Sequence, residues 1–244
     1  MTNTLFKCKK WFMSHDLSKE RFDLLNWAVP SDLDFKWEHF EHPPFEDLSN
    51  FGVISDPATG ERIAILRPAK CQVKELSDRL DELELLRSCN VKLAKSTPLI
   101  YNDEIYLWVS YMRGDTPYFY RGQRRVLTTE QQNNMVRHAL GVADYNSQAY
   151  IERRAPLYDI IHPAQTRIID NDFVFLDLNL AIEPMDEAQY RRKMARIEEL
   201  YLPFLDQQEG RLLERRLKVF AREAAGWKSH PRLPYSAGKV ALAS

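Results

Sequence analysis

Residues 162–181, HPAQTRIIDNDFVFLDLNLA, combine a polar loop with two short apolar runs and contain two side chains suited to chemistry. Asp177 directly follows the apolar run at 173–176, so it ends a predicted buried strand. A carboxylate there can bind a metal ion, or it can be an ordinary turn or helix-cap residue. His162 opens the loop, where an imidazole can exchange protons or hold the backbone through hydrogen bonds. The residue types alone leave both pairs of alternatives open.

The elements that must position this stretch fall into two groups along the chain. Before residue 116 the pattern predicts antiparallel strands, with the turn DPATGE joining FGVIS to RIAILR, and one leucine-striped helix over 74–90. After it the pattern is mostly helical. A long helix is predicted with Thr129 as its N-cap, the stretch at 162–181 follows it, and two more helices come next. The last of these is expected to stop at Gly226.

Composition bounds the class of protein. The 244-residue chain is 44% hydrophobic and 28% charged, so it can bury a core. Its formal net charge of −1 argues against a general nucleic-acid binder, which usually carries a basic excess. Cys8, Cys71 and Cys89 are too dispersed for a zinc ribbon or a disulfide scaffold, so we expect reduced thiols, with Cys71 and Cys89 buried, in a cytoplasmic protein. No apolar run is long enough to predict a membrane span.

Two further motifs have simpler interpretations. His39, Glu41 and His42 could suggest a metal site, but the histidines are three residues apart and run into two prolines. Helical zinc motifs need histidines four apart on an unbroken helix. The basic run at 121–125, RGQRR, is either a solvated surface or a contact for an anionic partner.

The order of these elements resembles the protein-kinase-like fold, whose members include protein kinases and small bacterial kinases of sugars, aminoglycosides and lipopolysaccharide core. In the small-molecule kinases the catalytic loop often has the form H-G-D-x-H-P-x-N, and here His162-Pro163 matches the H-P pair. The resemblance implies an α+β, two-lobed chain. It covers roughly residues 36–205, with a small β-rich lobe over 36–116 and a helical lobe over 117–226. The sequence pattern adds an N-terminal helical extension over 1–35, and the composition adds a tail over 227–244.

The loop residues receive roles from this resemblance. Gln165 falls where kinases have an asparagine, and Asp177 falls where they have the metal-binding aspartate, so both would hold Mg²⁺. Counting back from Gln165, the position of the catalytic base is Ile160. Asp159 is adjacent and would serve as the base if the loop held one extra residue.

The resemblance also implies a nucleotide site in the small lobe. RIAILRP matches the strand that carries the phosphate-binding lysine, where Arg67, or Lys70 beyond it, is the available cation. DELELLRSCNV matches the helix whose glutamate pairs with that cation, so Glu82 or Glu84 takes this role.

The departures from the pattern predict weak catalysis. The base is displaced, the usual lysine is replaced, and the acidic HPPFEDLSN stands where a glycine-rich loop would cradle phosphates. Our first hypothesis is therefore a pseudokinase that binds a protein partner or regulates it, without cofactor. The alternative is an active, divergent phosphotransferase that uses ATP and Mg²⁺ on a lipopolysaccharide-core sugar or another small hydroxylated substrate. A third possibility is another transfer, such as nucleotidylation.

Overall fold

The computed structural model describes most of the chain between residues 32 and 228. Its described ranges are 32–42, 45–101, 104–122, 126–158, 160–176 and 180–228. The predicted helical extension at 1–35 and the tail at 227–244 lie almost entirely outside the described residues, as do Cys8, Asp159 and Asp177.

A five-stranded antiparallel sheet forms the first half of the described chain. Its strands are β1 (Asp34–His42), β2 (Phe45–Ser55), β3 (Arg62–Pro68), β5 (Ser96–Tyr101) and β6 (Glu104–Ser110). They are arranged in the order β1-β2-β3-β6-β5. The predicted hairpin between FGVIS and RIAILR is confirmed as the β2–β3 pair. Its turn closes through an Asp56 side chain that accepts from Ala58 N at 2.8 Å, and Gly60 supplies the left-handed φ of +67°.

The leucine-striped helix is α1 (Leu76–Ser88), and it belongs to the main hydrophobic core. Leu83 and Leu86 are fully buried in the same cluster as Leu107 and Val109 of β6. Leu76 and Leu80 were expected to be mostly buried as well, but they are only half-buried at the edge of that cluster. The second half of the leucine-striped face therefore lies fully in the core, and its first turn lies at the margin of the core.

The long helix α3 (Thr129–Glu152) is the centre of the second half. Its N-cap is Thr128, which accepts from Gln131 N at 3.2 Å, so the predicted cap at Thr129 was wrong by one residue. Gly141 lies mid-helix because a Cβ there would sit 2.3 Å from the carbonyl oxygen of Cys89. This close approach fixes the end of α1 directly against α3.

A small second sheet follows α3 and carries the end of the 162–181 stretch. Strands β7 (Thr166–Ile169) and β8 (Asp172–Phe175) form an antiparallel hairpin, and β4 (Lys92–Leu93) pairs in parallel with β8. Asp170 and Asn171 both have positive φ, as the two central residues of a tight hairpin turn require. Both predicted short strands are thus confirmed.

Three more helices complete the described chain: α2 (Pro117–Gly122), α4 (Glu187–Tyr201) and α5 (Gln207–Lys228). As the periodicity predicted, the core faces of α4 and α5 are apolar, with Ile197 and Leu213 fully buried. The expected stop at Gly226 was wrong, because α5 continues two residues further. None of the helices among the described residues is long and apolar enough to span a membrane.

This arrangement confirms the α+β fold class. A sheet lobe with one helix precedes a helical lobe, and the predicted division at residue 116 falls between β6 and α2. The element order is the one on which the kinase-like resemblance rested, including the loop and hairpin directly after the long helix. The described chain therefore has a sheet lobe followed by a helical lobe.

Candidate functional site

The position that the resemblance assigns to the catalytic base is occupied by a core residue. Ile160 is 2% exposed and belongs to the main hydrophobic cluster of the large lobe. An isoleucine side chain has no atom that can accept a proton, and its burial in the core keeps it among apolar neighbours. Asp159, the predicted alternative base, lies outside the described residues.

Gln165 is held against the end of strand β8. It closes a short 3-10 helix, Pro163–Gln165, in which its N–H donates to the carbonyl of His162 at 3.0 Å. Its own carbonyl accepts from Leu176 N at 2.9 Å. This hydrogen bond joins Gln165 to the last described residue before Asp177. Asp177 itself lies outside the described residues.

The loop histidine has the structural role that its motif suggested as one alternative. The His162 ring stacks on Tyr118, with 5.8 Å between the ring centroids. Burial, together with the positive charge of Arg196, lowers the pKa of His162 to about 4. The imidazole is therefore neutral near pH 7 and a weak base, which suits packing better than proton transfer.

The predicted phosphate-binding cations lie at the end of β3. Arg67 is half-buried on the strand, opposite Leu107 of β6, and Lys70 is exposed just beyond the strand. The resemblance assigned Glu82 as the carboxylate partner of one of these cations. The structure brings Glu82 together with residues of the large lobe.

Both carboxylate oxygens of Glu82 bond side chains of the helical lobe. The Tyr145 hydroxyl donates to Oε2 at 2.6 Å, and Arg154 Nη1 forms an ion pair with Oε1. The Tyr145 hydroxyl also accepts from Leu157 N at 2.8 Å. We call these four residues the Glu82 network. It ties α1 of the small lobe to α3 and to the segment that leads into the loop.

Burial dominates the electrostatics of this network. Tyr145 is fully buried, and its pKa is raised first by that burial and then by its hydrogen bond to Glu82. The phenol therefore stays protonated and acts as a fixed donor. Arg154 also pairs with Glu152, and these bonds outweigh the effect of burial and raise its pKa. The network is consequently a hydrogen-bonded link in which Tyr145 and Arg154 both act as donors to Glu82.

Sequence reasoning missed Tyr145 and Arg154. Tyr145 lies 63 positions from Glu82, and nothing in its neighbours marks it as a partner of a carboxylate. The other alternative, Glu84, is exposed and pairs with Arg87 on the outer surface of α1. In the described part of the chain, no group of three or more His, Cys, Asp and Glu side chains is arranged to hold a metal ion.

Removing the Tyr145 hydroxyl should destabilise the protein. Tyr145→Phe leaves a buried backbone N–H and a carboxylate oxygen without their partner, which costs about 1–3 kcal/mol of unfolding free energy. The matched control is Tyr201→Phe, because the Tyr201 hydroxyl is buried with no hydrogen-bond partner among the described residues. Removing the Tyr201 hydroxyl should leave the unfolding free energy unchanged or raise it. Equal losses for both variants in urea unfolding would contradict a specific role for the network.

Comparisons with known proteins add little to this picture. No protein-family model matches the sequence, and no curated protein matches it. Among solved structures, a double mutant of the Mycobacterium tuberculosis PknI kinase domain superposes on the chain with a TM-score of 0.45. The match covers 82% of this chain and 100% of that chain, at 13% identity. It is too distant to inform function.

Proposed function

We propose that this chain is a pseudokinase, a kinase-like domain that works as a binding or regulatory module. The observation that carries the proposal is the Glu82 network. In active protein kinases, a lysine of the small sheet and a glutamate of the adjacent helix must form an ion pair for catalysis. Here the corresponding carboxylate is that of Glu82, and its two oxygens bond to Tyr145 and Arg154.

The burial of Ile160 supports the same proposal. Phosphoryl transfer depends on positioning the nucleophile and on stabilising developing charge. An apolar core side chain at the base position does neither, and the sequence lacks the glycine-rich loop that would hold the phosphates. In this proposal the chain works in a reducing, cytoplasmic setting, where Cys71 and Cys89 remain thiols.

The backbone bond between Gln165 and Leu176 favours the alternative, an active and divergent phosphotransferase. It keeps the Gln165 position close to the strand end that leads into Asp177. Glutamine and aspartate oxygens are suitable Mg²⁺ ligands. In that case Asp159 would be the base, Arg67 or Lys70 would contact the ATP phosphates, and the substrate would be a lipopolysaccharide-core sugar or another small hydroxylated molecule.

Nucleotide binding decides between the two. For a pseudokinase that does not bind nucleotide, millimolar ATP with Mg²⁺ should barely change the melting temperature. A ligand present at or below its dissociation constant stabilises by about 0.4 kcal/mol or less, whereas one at a hundredfold excess stabilises by about 2.7 kcal/mol. A thermal unfolding scan separates these outcomes.

Two variants control this measurement. Asp177→Ala removes the predicted metal position. Asp172→Ala removes a half-buried carboxylate of the β7–β8 hairpin that forms an ion pair with Lys92 of β4. If Mg²⁺-ATP stabilises the parent and the Asp172→Ala variant strongly but not Asp177→Ala, the chain has a working metal and nucleotide site. The phosphotransferase alternative would then replace the pseudokinase proposal.

A further inference from the structure

Four cations form a continuous row along the outer face of α5. All four are exposed, and they are Arg211, Arg215, Lys218 and Arg222. An α-helix turns by about 100° per residue, so these positions fall within a narrow sector of the helix surface. With a rise of about 1.5 Å per residue, the row is about 16 Å long. We call it the basic stripe.

The acidic side chains of α5 itself offset little of the positive charge of the basic stripe. Its opposite face, with Leu213 and Leu217, is buried in the core. Glu209 is 6% exposed, and Glu214 lies one helical turn from both Arg211 and Lys218. By contrast, the exposed Arg191 of α4 forms an ion pair with Glu187 one turn away.

Among the residues that the structure describes, the four cations of the stripe have no such ion pair. No carboxylate in this part of the chain is therefore in contact with them, and the whole protein carries a net charge of −1. Like charges spaced one turn apart on a helix repel each other slightly. A negatively charged partner would remove that repulsion.

A shallow groove lies beside the cations of the basic stripe. It is open to solvent, has a volume of about 380 Å³ and lies beside the first turns of α5. Its lining residues are Gln207, Gln208, Glu209, Arg211, Leu212 and Arg215. Two cations of the stripe thus line this space together with Glu209, and Leu212, 38% exposed, adds an apolar side chain beside them. Val219, 39% exposed, continues this apolar edge two turns later.

We propose that the basic stripe and its groove bind an acidic segment of a partner protein. Carboxylates about one helical turn apart would face successive cations, and an aliphatic side chain of the partner would contact Leu212 and Val219. A nucleic acid fits less well, because such binders usually carry a basic excess over the whole domain. This inference goes beyond the proposed function, since the stripe lies on α5 and not at the loop or the Glu82 network.

Fluorescence anisotropy with a labelled glutamate-rich peptide, without nucleotide, tests the proposal. The double variant R215Q/K218Q should weaken binding about tenfold, because each exposed charge pair contributes up to about fivefold. The control K74Q/K95Q changes the net charge equally on exposed positions of the small lobe and should bind like the parent. Binding to the parent should also weaken as the salt concentration rises, since exposed charges are screened.

Three results would overturn the proposal: no peptide binding by the parent, an equal loss in both double variants, or tighter binding of an oligothymidine or of phosphatidylserine vesicles than of the peptide. All four substituted side chains are exposed, so the variants should melt at the parent temperature, and a shared loss of fold would be visible in that control. Because no nucleotide is present, the outcome is independent of the ATP measurement.

Discussion

Lowering the pH from about 6.5 to about 4 should remove about 3 kcal/mol of unfolding free energy through His138 alone. His138 lies on α3 and is 3% exposed, with its ring between those of Phe173 and Tyr201 at centroid distances of 6.4 Å and 6.1 Å. Neither ring nitrogen has a hydrogen-bond partner among the described residues. Nothing in this environment stabilises the imidazolium.

The sign of the effect follows from the two protonation states. Burial lowers the pKa of His138 in the folded protein from 6.5 to about 4. Between these values the unfolded chain binds a proton and the folded chain does not, so each pH unit costs about 1.4 kcal/mol. The stability is fully present above pH 6.5 and is lost as the pH falls. The pKa of His162 is also lowered to about 4, so its protonation changes the unfolding free energy in the same direction.

The measurement is urea unfolding of the parent and of His138→Leu at several pH values. All other titrating groups are common to both proteins, so the difference between the two curves isolates His138. We expect the parent to lose its advantage, or to fall below the variant, as the pH drops from 6.5 to 4. Parallel curves over this range would show that His138 does not titrate as its burial requires.

Leu83→Ala should cost about 2–5 kcal/mol of unfolding free energy, because it removes a fully buried side chain and leaves a cavity. Leu83 is 2% exposed, and its cluster contains residues of the sheet, such as Leu107, and of the large lobe, such as Val142. The substitution therefore weakens the contact between the lobes as well as the small lobe itself. The expected result is a lower urea midpoint with an unchanged slope.

Leu80→Ala is the matched control on the same helix. Leu80 is half-buried at the margin of the core, so water and its neighbours can fill the space that truncation leaves. Its loss should be clearly smaller than that of Leu83→Ala. If both variants lost the same free energy, α1 would not be packed with Leu83 inward, and the described core would be wrong.

Local pattern was sufficient to predict most of the fold. The β2–β3 hairpin, the leucine-striped helix and the β7–β8 pair were all predicted, because apolar periodicity and turn residues act over a few neighbours. The errors were also local. Thr128 and Thr129 are equally good caps by type, and only the hydrogen bond to Gln131 N distinguishes them. Gly226 was expected to stop α5, but the helix continues.

The sequence by itself determined the α+β class, the order of the elements and the presence of a carboxylate on the inner part of α1. Only the tertiary structure decided what that carboxylate contacts. Glu82 and Glu84 are two residues apart and chemically alike, yet one bonds Tyr145 and Arg154 and the other pairs with Arg87 at the surface. The physical reason is that a helical pattern defines a face, whereas the partner across that face depends on how distant segments pack. The approach of Cys89 to Gly141 sets that packing, and no local preference encodes it.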